Sequence, residues 1–303
     1  MATVTINDTH LIDIANAIRS KNGTTNSYKP SEMATAIENI ETGGGTGGSF
    51  APRYVSFYNY TGTNLDEEVA NLDTSNLTSM EYMFYSNANL TNLDLSHWDT
   101  SKVTSMYNAF YGTKKLTNLN VSGWDTSNVG TMYQLFYNSG IKSIDLSSWD
   151  FRKVTSFYNM FSGCYISNTL DLSNLKNEVA TSMSYAFANI STMTTLRLDN
   201  LVGTAVTNTT YMFYSTKNMT TLILSSFNPT NLTNTSNMFR GCSALRYLDI
   251  RSLSFDNITS YSNMFQSVPT ACQIIVKDDT AKSWLASNFS TLTNVKTVAE
   301  LEG

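Results

Sequence analysis

The chain has 303 residues, of which 41% are hydrophobic and only 14% are charged. An average soluble protein carries about 25% charged residues, so we expect a neutral, hydrogen-bonding surface built mostly of Ser, Thr, Asn and Tyr. The net charge of −5 and the lack of a Lys/Arg cluster argue against nucleic acid or anionic lipid as a partner. Neither membrane insertion nor a secretory signal is expected from the apolar pattern.

The first 41 residues predict a small helical hairpin whose pattern differs from that of the remaining chain. Apolar residues at helical spacing predict a helix over residues 8–21, and a second short helix begins near Pro30, which suits a first helical turn. The two stripes comprise Leu11, Ile14, Ala15, Ile18, Met33, Ile37 and Ile40. Because so few apolar side chains rarely fold alone, we expect the hairpin to dock on a partner or to form a homo-oligomer.

Part of this hairpin, LIDIANAIRSKNGTTNSYKPSEMATAIENI, resembles a module at the start of tail and minor structural proteins of bacteriophages that infect Gram-positive bacteria. The resemblance implies attachment to a virion, with residues 1–41 contacting other virion structural proteins. Residues 42–53 are rich in Gly and predict a flexible linker. The linker separates this anchor from the remaining chain.

Residues 54–303 are dominated by an internal repeat. One Phe marks each unit, and successive markers are 26 residues apart with a single step of 25, at Phe84, Phe110, Phe136, Phe161, Phe187, Phe213, Phe239 and Phe265. A period this strict is typical of a solenoid. In the unit that begins at Leu93, alternating apolar residues predict a strand, and Asp99-Thr100-Ser101 predicts a turn. After this turn, apolar residues at helical spacing predict a short helix whose buried side consists of Val103, Met106, Ala109 and Phe110.

The unit LDLSHWDTSKVTSMYNAFYGTKKLTN resembles the BspA-like leucine-rich repeat, whose pattern is approximately LDLSxWDTSxVTxMxxMFxGCxxLxx. The resemblance spans about residues 67–273 and weakens in the units that begin at Leu170 and Leu196, where we expect a looser turn. It implies an α/β solenoid of strand, turn and short helix behind the small N-terminal helical hairpin. We assign residues 54–66 to an N-terminal cap and residues 274–303 to a C-terminal cap.

The residues that usually carry chemistry do not form a catalytic constellation in the sequence. His10 and His97 are predicted on the surface. Cys164 and Cys242 are predicted to be buried thiols, since they are three units apart and beyond disulfide reach, and Cys272 lies in the irregular last unit with no obvious partner. The sequence therefore predicts no enzymatic activity, no cofactor and no metal site.

Aspartate occupies one repeat position in four consecutive units, at Asp73, Asp99, Asp125 and Asp150. Stacking would place these carboxylates ~5 Å apart, a separation also found in retaining glycosidases. We favour a role for each Asp in its own turn. A bound divalent cation and catalysis are the alternatives.

Tyrosines predict the candidate binding surface. If Met106 and Phe110 point inward, Tyr107 and Tyr111 share an outer flank. The tyrosine stripe comprises Tyr85, Tyr107, Tyr111, Tyr133, Tyr137 and Tyr158. The rings either pack against one another and shield the layer beneath, or hold sugar rings with hydrogen bonds from Asn108, Gln134 and Asn159. The distal units lack the pattern and have Ser236, Arg240, Ser262 and Gln266 instead.

Together these features predict a non-enzymatic virion protein of a phage tail tip, baseplate or fibre, assembled in the host cytoplasm and acting outside the cell. Its hairpin would be the anchor, and its array would bind a glycan or protein of the host cell surface. One alternative is a bacterial surface adhesin of the BspA type. Another is a glycan-cleaving enzyme.

A truncation tests the assignment of the anchor. We expect residues 54–303 alone to be monomeric, whereas the whole chain forms oligomers or docks on virion proteins through residues 1–41. Analytical ultracentrifugation of both forms distinguishes the two states. The assignment is wrong if the truncated array keeps the oligomeric state of the whole chain.

Overall fold

A computed structural model describes residues 55–57 and 65–302. The predicted hairpin over residues 1–41, the linker over residues 42–53 and much of the predicted N-terminal cap lie outside the described residues. The described residues comprise the repeat array and the segments that flank it.

The array is a parallel β-solenoid of about seven turns. Here each repeat unit is called a rung. The strands are β1 (Asn92–Asp94), β2 (Asn118–Asn120), β3 (Asn168–Asp171), β4 (Met193–Arg197), β5 (Thr221–Ile223), β6 (Tyr247–Asp249), β7 (Gln273–Val276) and β8 (Val295–Thr297). The helices are α1 (Leu65–Ala70), α2 (Asp279–Asn288) and α3 (Ala299–Glu302). The solenoid prediction is confirmed.

Strand pairing follows the predicted repeat register. Leu93 pairs with Leu119 in the two-stranded sheet β1–β2, and Leu222 pairs with Leu248 in the six-stranded sheet β3–β8. These residues are buried while their neighbours along the strand are mostly exposed, because successive side chains of a strand point to opposite faces. The core therefore lies along the inner face of the strands.

The two sheets separate at the rung that is one residue shorter than the others. The 25-residue step falls between Phe136 and Phe161, and residues 143–145, which occupy the strand position, form no strand. The same rung contains the buried indole nitrogen of Trp149, which has no hydrogen-bond partner, whereas the Trp124 nitrogen donates to the Leu95 carbonyl at 2.8 Å. The missing residue thus disturbs the strand side of this rung.

The marker phenylalanines form one continuous column through the core. Their ring centroids are 5.2 to 5.9 Å apart from Phe84 to Phe265. Phe57 stacks on Phe84 with ring centroids 5.3 Å apart, and Phe289 closes the other end in an edge-to-face contact with Phe265, with ring centroids 5.0 Å apart. Aromatic stacking therefore joins all the described rungs.

The turn after each strand forms as predicted. The Ser101 amide donates to the Asp99 carboxylate at 3.0 Å, and the Ser127 amide donates to Asp125 at 2.9 Å. Between them, the buried Thr100 hydroxyl donates to the Asp125 carbonyl of the next rung at 2.9 Å. Each of these turns is therefore stabilised by hydrogen bonds within its own rung and to a neighbouring rung.

The turn of the rung that begins at Leu170 is not loose, contrary to the sequence-based prediction. Buried Asn177 replaces the threonine, and its amide nitrogen donates to the carbonyls of Phe151 and Val154 at 2.6 and 2.8 Å. Its oxygen accepts from the amides of Val179 and Ala180. One side-chain amide thus makes the turn contacts that the usual motif makes elsewhere.

The prediction of a short helix in each rung is wrong. Residues 71–276 contain no helix, and the predicted helical segment consists of consecutive turns. The cause is a residue with positive φ at two fixed repeat positions, as at Asn108 (φ 55°) and Gly112 (φ 69°). Left-handed residues interrupt a right-handed helix, whereas they suit the third position of a type II turn.

The hydrogen bonds of this turn segment run in two directions. The amides of Asn108 and Phe110 donate to the Tyr133 and Leu135 carbonyls of the next rung at 3.0 and 2.9 Å. The amides of Ala109 and Tyr111 donate three residues back within their own rung at 3.2 Å. Met106, Ala109 and Phe110 are buried as predicted, because turns and a helix place these positions on the same side.

The C-terminal end closes with α2 and β8. β8 extends the sheet in parallel to β7, and Leu285 of α2 is buried in the core. The Asp278 carboxylate caps α2 by accepting from the Ala281 amide at 3.0 Å. Lys282 pairs with Glu300 at 2.7 Å, and this contact lowers the pKa of Glu300 to about 2.

Substitutions at Gln134 distinguish the turn from a helix. Gln134 has a φ of 53°, in the left-handed region. The Gln134→Gly variant should therefore be more stable than Gln134→Ala by about 1 kcal/mol, because the Cβ atom of Ala is sterically unfavourable in this conformation and Gly has no Cβ atom. In a helix the order would be reversed by a similar amount. Urea unfolding of both variants measures the difference. The turn assignment fails if Ala is the more stable substitution.

Candidate binding surface

The tyrosine stripe lies on the outside of the turn segment and forms two columns of stacked rings. The first column contains Tyr107, Tyr133 and Tyr158, with centroids 5.0 and 4.6 Å apart. The second column contains Tyr85, Tyr111 and Tyr137, with centroids 4.6 and 4.8 Å apart. The hydrogen bonds of the turn segment continue through the short rung, where the Gln134 amide donates to the Tyr158 carbonyl at 2.9 Å. The columns therefore stay in register where the sheets separate.

Stacking covers the faces of these rings. The planes within both columns differ by only 12° to 25°, so each ring rests on its neighbour and all six residues are half-buried. The stripe therefore presents hydroxyl groups and ring edges to solvent. This arrangement matches the packing interpretation of the stripe. A sugar cannot stack flat on these rings, because their faces are covered by the neighbouring rings.

Four phenols of this surface keep their protons at physiological pH. Burial, and after it the neighbouring phenols, raise the pKa of Tyr107, Tyr111, Tyr133 and Tyr185 above the usual value. Each hydroxyl therefore keeps its proton and can both donate and accept a hydrogen bond. The columns form a row of neutral polar groups repeated at nearly the strand spacing.

Three further tyrosines, which the repeat pattern did not predict, belong to this surface. Tyr82 contacts Tyr107 at 5.3 Å, and Tyr185 contacts Tyr158 and Tyr211 at 5.9 and 4.5 Å. These three tyrosines extend the first column to six rungs, although they lie one residue later in the repeat than Tyr107. The repeat pattern does not group them with Tyr107, because they do not occupy its repeat position.

The predicted amides Asn108, Gln134 and Asn159 occupy this later position, two residues before the marker Phe. All three have left-handed backbones, with φ of 53° to 55°. Asn108 is 5% exposed and Asn159 8%, and Gln134 is half-buried. The Asn108 side-chain oxygen is buried and has no hydrogen-bond partner.

Neighbouring rungs show where side chains at this position point. Tyr82 contacts Tyr85 of the second column at 5.5 Å, and Tyr211 contacts Tyr214 at 5.2 Å, at the corresponding place. Asn108, Gln134 and Asn159 share the repeat position of these two tyrosines.

The carboxylates that could suggest catalysis or cation binding are used in turns. Hydrogen bonds from Ser101 lower the pKa of Asp99, and Arg152, bound to Asp150 at 2.5 Å, lowers the pKa of that carboxyl. A general acid of a glycosidase needs the opposite shift. His97 is exposed, as predicted.

Residues 55–57 and 65–302 are the part of the chain that the structure describes. Within these ranges no group of three or more His, Cys, Asp and Glu side chains is arranged to hold a metal ion. No helix there is long and apolar enough to cross a membrane.

All three cysteines are buried free thiols, which confirms the prediction for Cys164 and Cys242. Burial raises the pKa of Cys242 and of Cys272 to about 11. The Cys164 thiol donates to the Phe136 carbonyl at 2.8 Å, and burial raises its pKa further. These thiols belong to the core and do not offer a reactive nucleophile.

The strand face offers a second surface. A shallow depression of about 540 Å³ lies where the sheets separate, lined by Asn92, Leu93, Asp94, Asn118, Leu119, Asn120, Ser143, Ile144 and Asp145. Its polar groups are occupied: Asn118 donates to Asn92 at 2.5 Å, and Asp94 accepts from Ser96. This surface therefore offers fewer free hydrogen-bonding groups than its composition suggests.

Comparison with known proteins identifies the array. A family model described as "Mycoplasma protein of unknown function, DUF285" matches residues 54–175 and 181–300, which is more than half of the chain. No curated protein matches the chain significantly. The match and the solenoid both fit a BspA-like repeat array. The chain belongs to the DUF285 family of repeat proteins.

Proposed function

We propose that this protein is a non-enzymatic virion protein of a phage tail tip, baseplate or fibre that binds the host cell surface through the tyrosine stripe. The observation that carries the binding role is the pair of ordered tyrosine columns on a surface that otherwise has few charges. The virion assignment rests on the resemblance of residues 11–40 to phage structural proteins.

The tyrosine columns suit recognition of a neutral polar partner. Stacking fixes the rings before binding, so little side-chain freedom is lost when a ligand docks. The phenol hydroxyls repeat from rung to rung, so they can hydrogen-bond to a polymer whose own groups repeat. A glycan of the host surface is the partner that fits this chemistry.

A bacterial surface adhesin is the second candidate, supported by the match of the array to a BspA-like repeat family. It would use the same tyrosine columns but a different carrier. The two candidates therefore differ in the role of residues 1–41, while the binding surface is common to both.

Replacing four tyrosines tests the binding surface. Changing Tyr107, Tyr111, Tyr133 and Tyr137 together to Ser removes two rings from each column. We expect the variant to lose adsorption to host cells and to purified wall glycan. Its circular dichroism should stay unchanged, because the core phenylalanines remain, while loss of stacking at about 0.5–1.5 kcal/mol per pair lowers its melting temperature.

Tyr165→Ser is the matched control, since Tyr165 is 58% exposed and outside both columns. This variant should adsorb like the unmodified protein. Unchanged adsorption by the folded quadruple variant would contradict the proposal and would direct attention to the strand face.

A further inference from the structure

The solenoid ends at a turn that no further rung covers. Inner turns are covered by the equivalent turn of the next rung, whereas the last turn, over residues 251–258, is covered by α2. Trp284 of α2 stacks on Phe255 of this turn with ring centroids 4.6 Å apart. A helix is ~10 Å across and does not follow the outline of a rung, which would lie ~4.8 Å away. A cleft of about 750 Å³ therefore remains between the last turn and the C-terminal cap.

Inner turns present main-chain carbonyl groups to the rung that follows. The Asp199 carbonyl accepts from the Ser226 hydroxyl of the next rung at 2.6 Å. The Thr230 carbonyl accepts from the side-chain amide of Asn257, again in the next rung, at 3.1 Å. These carbonyls point toward the C-terminal end of the array and depend on the next rung for their donors.

The equivalent carbonyls of the last turn lack such donors. They belong to Arg251 and Asp256, which both line the cleft. Asp278, whose carboxylate cannot donate, takes the repeat position of Ser252, and residue 283, one repeat after Asn257, belongs to α2. Neither carbonyl accepts a hydrogen bond from the part of the chain that the structure describes. A ligand in the cleft can supply the missing donors.

The inner wall of the cleft is apolar. Leu253, Phe255, Ile258 and Ala281 line it and are at most 8% exposed, and Trp284 beside them is half-buried. An apolar wall with a few hydrogen-bonding groups is typical of small-molecule sites, which have volumes of roughly 300–1,000 Å³. The size and lining of the cleft therefore suit a small ligand that has both apolar and polar surface.

The charges of the cleft are balanced. Its lining contains two cations, Arg251 and Lys277, and two carboxylates, Asp256 and Asp278. Arg251 is already paired with Asp249 at 2.7 Å, and Asp278 already caps α2. One cation and one carboxylate remain, so the lining favours neither an anion nor a cation.

We infer that the cleft binds one or two sugar rings of a neutral saccharide. Sugar hydroxyls can donate to the carbonyls of Arg251 and Asp256 and can accept from the Thr280 hydroxyl and the Asn228 amide, which are exposed and line the cleft. The C–H face of the sugar packs against the apolar wall. This site does not depend on the proposed function, because no residue of the tyrosine stripe lines the cleft.

Tryptophan fluorescence can report on this site, because Trp98, Trp124 and Trp149 are buried while Trp284 is half-buried at the cleft. Titration of the full chain uses glucose, galactose, N-acetylglucosamine, cellobiose and lactose. We expect at least one of these sugars to change the fluorescence saturably, with a Kd in the millimolar range. The Kd should be equal in low and high salt, since a neutral ligand forms no ion pair that salt could screen.

Thr280→Tyr tests the location by filling the cleft. Thr280 is exposed in the first turn of α2, so the larger side chain should leave the circular dichroism unchanged and weaken sugar binding roughly tenfold or more. Ser283→Tyr is the matched control, since Ser283 is exposed on the same helix and does not line the cleft. This control should bind the sugar like the unmodified protein.

Three results would overturn the inference. These are no fluorescence change with any of the five sugars, unchanged sugar binding by Thr280→Tyr, and binding of glucuronate or choline roughly tenfold tighter than that of every neutral sugar. The last result would mean that the cleft selects a charge. The quadruple tyrosine variant should still bind the sugar in the cleft, so its adsorption to host cells tests the tyrosine stripe alone.

Discussion

The structure depends on backbone hydrogen bonds between successive rungs. A single rung cannot satisfy its own amides, and buried backbone groups must be paired. Along the turn segment every second amide donates to the next rung, as from Tyr82 to Tyr107 at 2.9 Å and from Phe84 to Ala109 at 2.8 Å. This alignment sets the rungs one strand spacing apart, ~4.8 Å. Equal repeat positions consequently stack, which generates the phenylalanine column inside and the tyrosine columns outside.

The same constraint determines what the surface can offer. At this spacing neighbouring aromatic rings meet face to face, so an array of tyrosines presents hydroxyls and edges and keeps its faces covered. Recognition then relies on hydrogen bonding that repeats from rung to rung.

Much of this architecture could be predicted from the sequence, because the repeat fixes which residues share a column. The inward set around Phe110 and the Asp99 turn were both predicted correctly. The predicted helix in each rung was wrong, because consecutive turns can bury apolar residues at the same spacing as a helix does. The recurring Asn and Gly at the positions of Asn108 and Gly112 were the signal for left-handed turns. Tyr82 and the orphan oxygen of Asn108 depend on side-chain directions, which the sequence does not state.

We propose that ligands bind along the tyrosine columns. A crystal structure of the full chain bound to a wall-glycan fragment would show directly where the ligand lies. We expect ordered sugar density along the columns, within hydrogen-bonding distance of the tyrosine hydroxyls. Density in the strand-face depression between Asn92 and Asp145, with the columns unoccupied, would contradict it.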